Sequence, residues 1–363
     1  MELRQVLAVG LAIGGVACSG WEEVDELPFW MERAAVSPEG TLLAAGYQLP
    51  ENHWDHDRFG STLVIDFDPV TSTLTGETVV GDAHTPITFH QRTLISWTDF
   101  WASSGGALLA FPPDTDLPDP SASLPFTCPV STLLLGGPAV VAVRSDLLLV
   151  GTHCDPDPPT TEVVRFDWST FTSLGTLDTL CDSAAVTSDT LVCASPDLVG
   201  GSAALQAYSL TDLSLIDSIG LAGFDHHVVA VGAGLVGVVT DDVLRVYDLG
   251  VGRLNFRADS SESKILTMTA AAPAGEGRVL IDDTGQAKLL AYDATTGIEV
   301  VAQGPDGERL VDAIPHEGHF FVATGWDGVA VLEQKGGRLV RTAGVTRHWE
   351  DPKGIDRHYQ RSW

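Results

Sequence analysis

The densest run of metal-competent side chains in the chain is His53-Trp54-Asp55-His56-Asp57. Two imidazoles and two carboxylates within five residues supply the nitrogen and oxygen donors that zinc or a similar divalent cation takes. His53, Asp55, His56 and Asp57 are therefore the candidate metal ligands. A divalent metal is the one cofactor these side chains bring into question, and none is otherwise predicted. His153, Asp155 and Asp157 offer the same chemistry further on, as does Asp282-Asp283. Two facts weigh against a dedicated site. With 49 acidic residues, clustered Asp is expected from composition alone, and neighbouring ligands on one loop lack the spacing of a rigid motif. No P-loop of the glycine-rich kind and no Gly-x-Ser-x-Gly elbow is present, so no catalytic residue is assigned.

The elements that must position these groups repeat. A short β-type run ending in an aromatic, usually followed by an acidic residue and a turn, returns down the chain. It reads Leu63-Val64-Ile65-Asp66-Phe67-Asp68, Leu108 to Phe111, Val163 to Asp167, Leu205 to Tyr208, Leu244 to Asp248 and Leu289 to Asp293. A weaker copy is Val329 to Glu333. Positions 67, 111, 166, 208, 247, 292 and 332 are spaced by about 44, 55, 42, 39, 45 and 40 residues. Upstream of most copies stands a turn leading into an apolar strand, such as Ser37-Pro38-Glu39-Gly40 before Leu42 or His316-Glu317-Gly318 before Phe320. Each unit thus reads as four strands: inner, second, aromatic-ended and outer.

This grammar resembles the WD40-like and quinoprotein-like β-propeller repeats over residues 31–344, with Phe/Tyr-Asp where Trp-Asp would stand in a true WD40 blade. The resemblance implies an all-β, seven-bladed β-propeller of four-stranded antiparallel blades. Six or eight blades, or a β-sandwich, are the alternatives. The enlarged spacing of about 55, with Pro112, Pro113, Pro118, Pro120 and Pro125, points to an insertion in the second unit. In a propeller, groups from several blades converge where the inner strands begin. The candidate channel-mouth residues on that basis are Glu32, Arg33, Asp182, His226, His227 and Asp312.

The cysteines and the N-terminus speak to location. Met1 to Arg4 precede an apolar run, Val6 to Ala17, too short to span a bilayer but suited to a secretory signal. It ends in Gly15-Val16-Ala17-Cys18, which resembles a bacterial lipoprotein signal, cut before Cys18 and acylated on its thiol. Residues 1–17 are then a signal peptide, 18–30 a lipidated linker, 31–344 the propeller and 345–363 a tail. Cys128, Cys154, Cys181 and Cys193 remain, an even number that reads as two disulfides in an exported chain. Three pairings are possible. The propeller resemblance implies Cys128–Cys154 and Cys181–Cys193, because blade entries and second-to-third connections share one face.

The formal net charge is −29, from 20 basic and 49 acidic residues, which argues against nucleic acid and against charge-driven binding to an anionic membrane. The membrane contact expected is through the N-terminal lipid alone. The tail is different in kind: Arg347, Lys353, Arg357 and Arg361 stand against Glu350, Asp351 and Asp356, with Trp349, Tyr359 and Trp363 interspersed, as in a segment drawn back onto an acidic body or offered to a partner. Taken together, the sequence predicts a monomeric lipoprotein at the bacterial cell envelope, periplasmic or surface-facing. Its propeller would be a non-catalytic platform for an unspecified protein or ligand. The competing reading is a metal-dependent hydrolase or lactonase-like enzyme with its site at the channel mouth.

Overall fold

The computed structural model describes residues 30–345, except 49–60, 69–70, 72, 81–84, 101–104, 113–119, 129–139, 153–156, 168, 188 and 196–202. Also excepted are 223–225, 233, 241–242, 251, 261–267, 274–276, 284, 306–309, 311 and 325–328. Every regular element among the described residues is a β-strand. None is a helix long and apolar enough to cross a membrane.

The strands follow one another in antiparallel meanders. The first is β1 (Trp30–Val36), β2 (Leu42–Gln48), β3 (Ser61–Asp68) and β4 (Thr73–Val80). Next come β5 (Thr85–His90), β6 (Thr93–Phe100), β7 (Gly105–Phe111) and β8 (Ala122–Thr127), then β9 (Val140–Arg144), β10 (Leu147–Thr152), β11 (Thr160–Asp167) and β12 (Thr170–Leu177). β13 (Ser183–Thr187), β14 (Thr190–Ser195), β15 (Ala204–Ser209) and β16 (Leu215–Gly220) form another sheet. So do β17 (His227–Gly232), β18 (Leu235–Thr240), β19 (Val243–Gly250) and β20 (Arg253–Asp259). The last two meanders are β21 (Met268–Pro273), β22 (Arg278–Asp283), β23 (Ala287–Asp293), β24 (Gly297–Gln303) and β25 (Asp312–His316), β26 (His319–Ala323), β27 (Val329–Lys335), β28 (Arg338–Val345). These two are joined into one eight-stranded sheet by a single parallel pair, Gln303 with Arg338. The all-β expectation holds, as five four-stranded sheets and one of eight.

Second strands read as continuous apolar runs, such as Leu147 to Val150 and Phe320 to Ala323, because both of their faces are covered by neighbouring sheets. The core is a series of seams between consecutive sheets rather than one central mass. Leu147, Leu149 and Val163 pack with Ala184, Leu191 and Tyr208, and Ala185, Val192 and Leu205 pack with Val236, Val238 and Tyr247. The recurring aromatic of each third strand thereby gains a physical role: it plugs into the preceding sheet. Phe111, Phe166, Tyr208, Tyr247 and Tyr292 all do so. Burying one such side chain is worth roughly 1.5–3 kcal/mol before packing terms. Phe67 does the same where the first described sheet meets the last, standing edge-on to Phe321 at 4.9 Å and to His319 at 5.5 Å. The innermost strands accordingly touch in chain order, from β1 against β5 round to β21 against β25, and β25 lies against β1.

The acidic residue after the aromatic closes the turn. Asp293 Oδ1 accepts hydrogen bonds from the Thr295 and Thr296 amides at 2.7 and 3.0 Å, which hold its carboxyl below the usual range. Asp248 accepts likewise from the Gly250 amide. The enlarged second repeat has two causes: a ten-residue connection between β7 and β8, and the stretch after Thr127 that precedes β9.

Candidate functional site

The ends of the inner strands are where groups from different sheets come together, and side-chain hydroxyls sew them there. At the start of β13, Ser183 Oγ accepts a hydrogen bond from the Val228 amide of β17 at 2.8 Å. At the other end, Thr187 Oγ1 accepts from the Gly234 amide at 2.7 Å. These contacts span 45 and 47 residues. They bring the segments carrying Asp182 and His226–His227 close together.

Within that juxtaposition the residues differ. Asp182, His227 and Asp312 are half-buried, with Asp312 Oδ1 accepting from the Ala313 amide. His226 is only 3% exposed, and its Nε2 lies 3.2 Å from the Ala222 carbonyl oxygen. Its ring is thus buried and directed at the backbone four residues before it. Glu32 and Arg33 belong to β1, at a bulge between Met31 and Arg33, and their side chains lie outside the described residues.

The metal-ligand candidates His53, Asp55, His56 and Asp57 lie outside the described residues, as do His153 and Asp155; Asp157 is exposed. Asp282 and Asp283 are buried, and the structure gives them other work. Asp282 Oδ1 accepts from the Leu310 amide at 2.9 Å and Oδ2 from the Gly285 amide at 3.2 Å, tying a hairpin to the entry of the next meander. Asp283 pairs with the largely buried ammonium of Lys288. Among the described residues, no group of three or more His, Cys, Asp or Glu is disposed to hold a metal ion.

Cys181 and Cys193 form a disulfide, joining the segment before β13 to β14. Cys128 is disulfide-bonded too, while its expected partner Cys154 lies outside the described residues. Around Cys181 a hydroxyl chain bridges two sheets. The Cys181 amide donates to Thr161 Oγ1 at 2.8 Å, that hydroxyl donates to the Thr179 carbonyl at 2.8 Å, and Thr179 Oγ1 donates to Ser195 Oγ at 2.9 Å. Cys18 and the tail from 346 onward also lie outside the described residues.

Several polar contacts have no local sequence signal. His316 sits beneath the β1–β2 turn, where Gly40 has φ +67° and a Cβ would stand 2.1 Å from His316 Cδ2. His319 is 3.1 Å from Glu333 and meets Phe67 across the seam. Only the turn glycine itself, one of nine glycines at positive φ among the described residues, hinted at such a close approach.

No protein-family model matches the sequence, and no curated protein does. Solved structures do match. The β-propeller domain of the Trilobed protease from Pyrococcus furiosus, described as having an open velcro topology, superposes with a TM-score of 0.56 at 11% identity, covering 87% of this chain and 98% of that one. A chain of the Mitotic Checkpoint Complex gives 0.57 at 9% identity, over 84% and 89%. A chain from the complex of KlAtg21 with the coiled-coil of AgAtg16 gives 0.58 at 10% identity, over 88% and 99%. At these identities the likeness is one of fold, and the fold is a β-propeller, similar to WD40-type propellers.

Proposed function

We propose that the chain is a cell-envelope lipoprotein whose seven-bladed propeller is a non-catalytic platform for protein or ligand binding. Reading the eight-stranded sheet as two blades gives the count of seven. The succession of innermost strands from β1 to β25 and back supports it, since Gln303–Arg338 is one pair at the outer edge. The platform reading is carried by one observation. The fold is shared with propellers solved inside protein assemblies, namely the KlAtg21 complex with a coiled-coil and the Mitotic Checkpoint Complex. Lipid attachment rests on the apolar run Val6 to Ala17 ahead of Cys18.

Two measurements test this. Elemental analysis of the purified chain is expected to find no stoichiometric metal after dialysis. Zinc or calcium held at one per chain would replace the platform with the metal-dependent hydrolase reading. Replacement of Cys18 by Ala is expected to abolish incorporation of labelled palmitate and release the chain from the membrane fraction. Unchanged membrane retention would overturn the lipid anchor.

A further inference from the structure

The charge of the chain is unevenly spread along the ring. Between residues 30 and 345, positions 30–244 hold 27 acidic residues and 5 basic ones, whereas positions 245–345 hold 14 and 10. The outermost strands sharpen this. β4, β8, β12 and β16 contain no Lys or Arg, whereas β20 and β28 carry Arg253, Arg257, Arg338 and Arg341. β24 lies between these two, touching β20 and pairing with β28, so the three edges make one continuous stretch of rim. Along it Phe256, Val300 and Val340 are 55%, 39% and 37% exposed, interleaved with the exposed Arg253 and Arg338. Large apolar side chains left in water beside guanidinium groups are what a partner with the opposite charge and its own apolar residues would cover.

We infer that the rim formed by β20, β24 and β28 docks an acidic, extended protein segment that alternates carboxylates with aliphatic side chains. The inference rests on the platform reading and gives that partner a place and a chemistry. Guanidinium groups bind carboxylates in a two-toothed geometry, and the aliphatic side chains of the segment would cover Phe256, Val300 and Val340. An extended segment is favoured over an anionic bilayer for a geometric reason. A peptide can follow this one arc, whereas a flat anionic surface large enough to touch it also meets the acidic blades on either side.

The test uses the full chain and a fluorescein-labelled ten-residue peptide alternating Glu with Val, followed by fluorescence anisotropy. Saturable binding is expected, weakened about tenfold by the double variant R253E/R338E and again by about 0.5 M salt. E299K, on the exposed face of β24, is expected to tighten it. Arg257 is left in place because Asp248 already holds its guanidinium. Circular dichroism melting should be unchanged in all three substituted positions, since each side chain is exposed. The inference is overturned if the peptide does not bind, if a Lys-Val peptide binds as well, or if R253E/R338E has no effect. Phosphatidylglycerol vesicles that bind the chain through Arg253 and Arg338 while the peptide does not would overturn it in favour of lipid. Peptide binding that survives R253E/R338E but is lost in His227→Ala would move the partner to the channel mouth. That outcome rejects the rim and leaves the platform intact.

Discussion

The joint between β9–β12 and β13–β16 and the joint between β25–β28 and β1–β4 are plugged by the same device and fastened by different ones. Each receives an aromatic from the third strand of the following sheet, Tyr208 in the first case and Phe67 in the second. The first joint is crossed by the hydroxyl chain through Thr161 and Thr179, and the entry segment that receives this chain is itself held to β14 by the disulfide Cys181–Cys193. The second lies between segments 30–80 and 312–345, neither of which contains a cysteine, and relies on ring packing among Phe67, His319 and Phe321, with His316 tucked beneath Gly40. Among the described residues both halves of this closing joint are four-stranded meanders, with no strand exchanged between them. The aromatic plug is thus common to both joints. Covalent and polar fasteners are additions at particular joints.

If the closing joint depends on packing alone, truncating its central ring should have the largest effect. Phe321 is fully buried against Phe67, and F321A is expected to cost about 3–5 kcal/mol of stability by urea denaturation. A loss under about 1 kcal/mol would show that other contacts close the ring. At the stapled joint, the C181S/C193S double variant is expected to lose about 3 kcal/mol, because the bridge limits a short unfolded loop. Hydrogen exchange should separate the two: the disulfide variant accelerates exchange in β13 and β14 and leaves β1 and β25 unchanged.

The next effect returns to the closing joint. Gly40→Ala places a Cβ into the His316 ring and asks a non-glycine residue to hold φ +67°, at an expected cost of about 1–3 kcal/mol. The clash and the backbone strain can be told apart. In the G40A/H316A pair the ring is gone, so the double variant should be more stable than the sum of the single losses requires, by about 1 kcal/mol. Strict additivity would mean that His316 does not limit this turn.

These contacts also mark where reading the sequence stops. The third-strand aromatics were legible because each lies in a local pattern of apolar run, ring and turn-forming Asp that repeats at a fixed period. Cys181–Cys193 was legible for the same reason, since both ends fall within one repeat. Ser183 with Val228 and His316 with Gly40 were not, because the curvature of the ring sets those pairs and no local pattern carries it. His226 looked like a mouth residue from its position before an inner strand, yet its ring is buried against Ala222. The insertion expected in the second repeat resolves into a long β7–β8 connection and a long passage to β9, two lengths that one spacing could not divide.

The smallest expected effects belong to the polar side of the stapled joint. Thr161→Val leaves the buried Cys181 amide without its acceptor and should cost about 1–2 kcal/mol, less than the disulfide it adjoins. Tyr208 sets a pH limit on the same joint. Burial, with the negative charge of Asp178 adding to it, pushes the phenol up to about 12 from its ordinary 10.0. The folded chain therefore holds that proton more tightly than the unfolded chain does. The contribution to stability is complete below pH 10 and is lost as pH rises from about 10 to about 12. Tyr247, also raised by burial, adds in the same direction at the next joint. Melting temperature measured against pH should fall over this window, and Tyr208→Phe should flatten part of the fall. The closing joint carries Phe67 at the equivalent position, a ring with no proton to lose, so protection against exchange, corrected for the intrinsic rate at each pH, should stay level in β1 and β25 where it falls in β13 and β14. Equal loosening of the two joints would show that alkaline unfolding starts elsewhere than at the tyrosine plug.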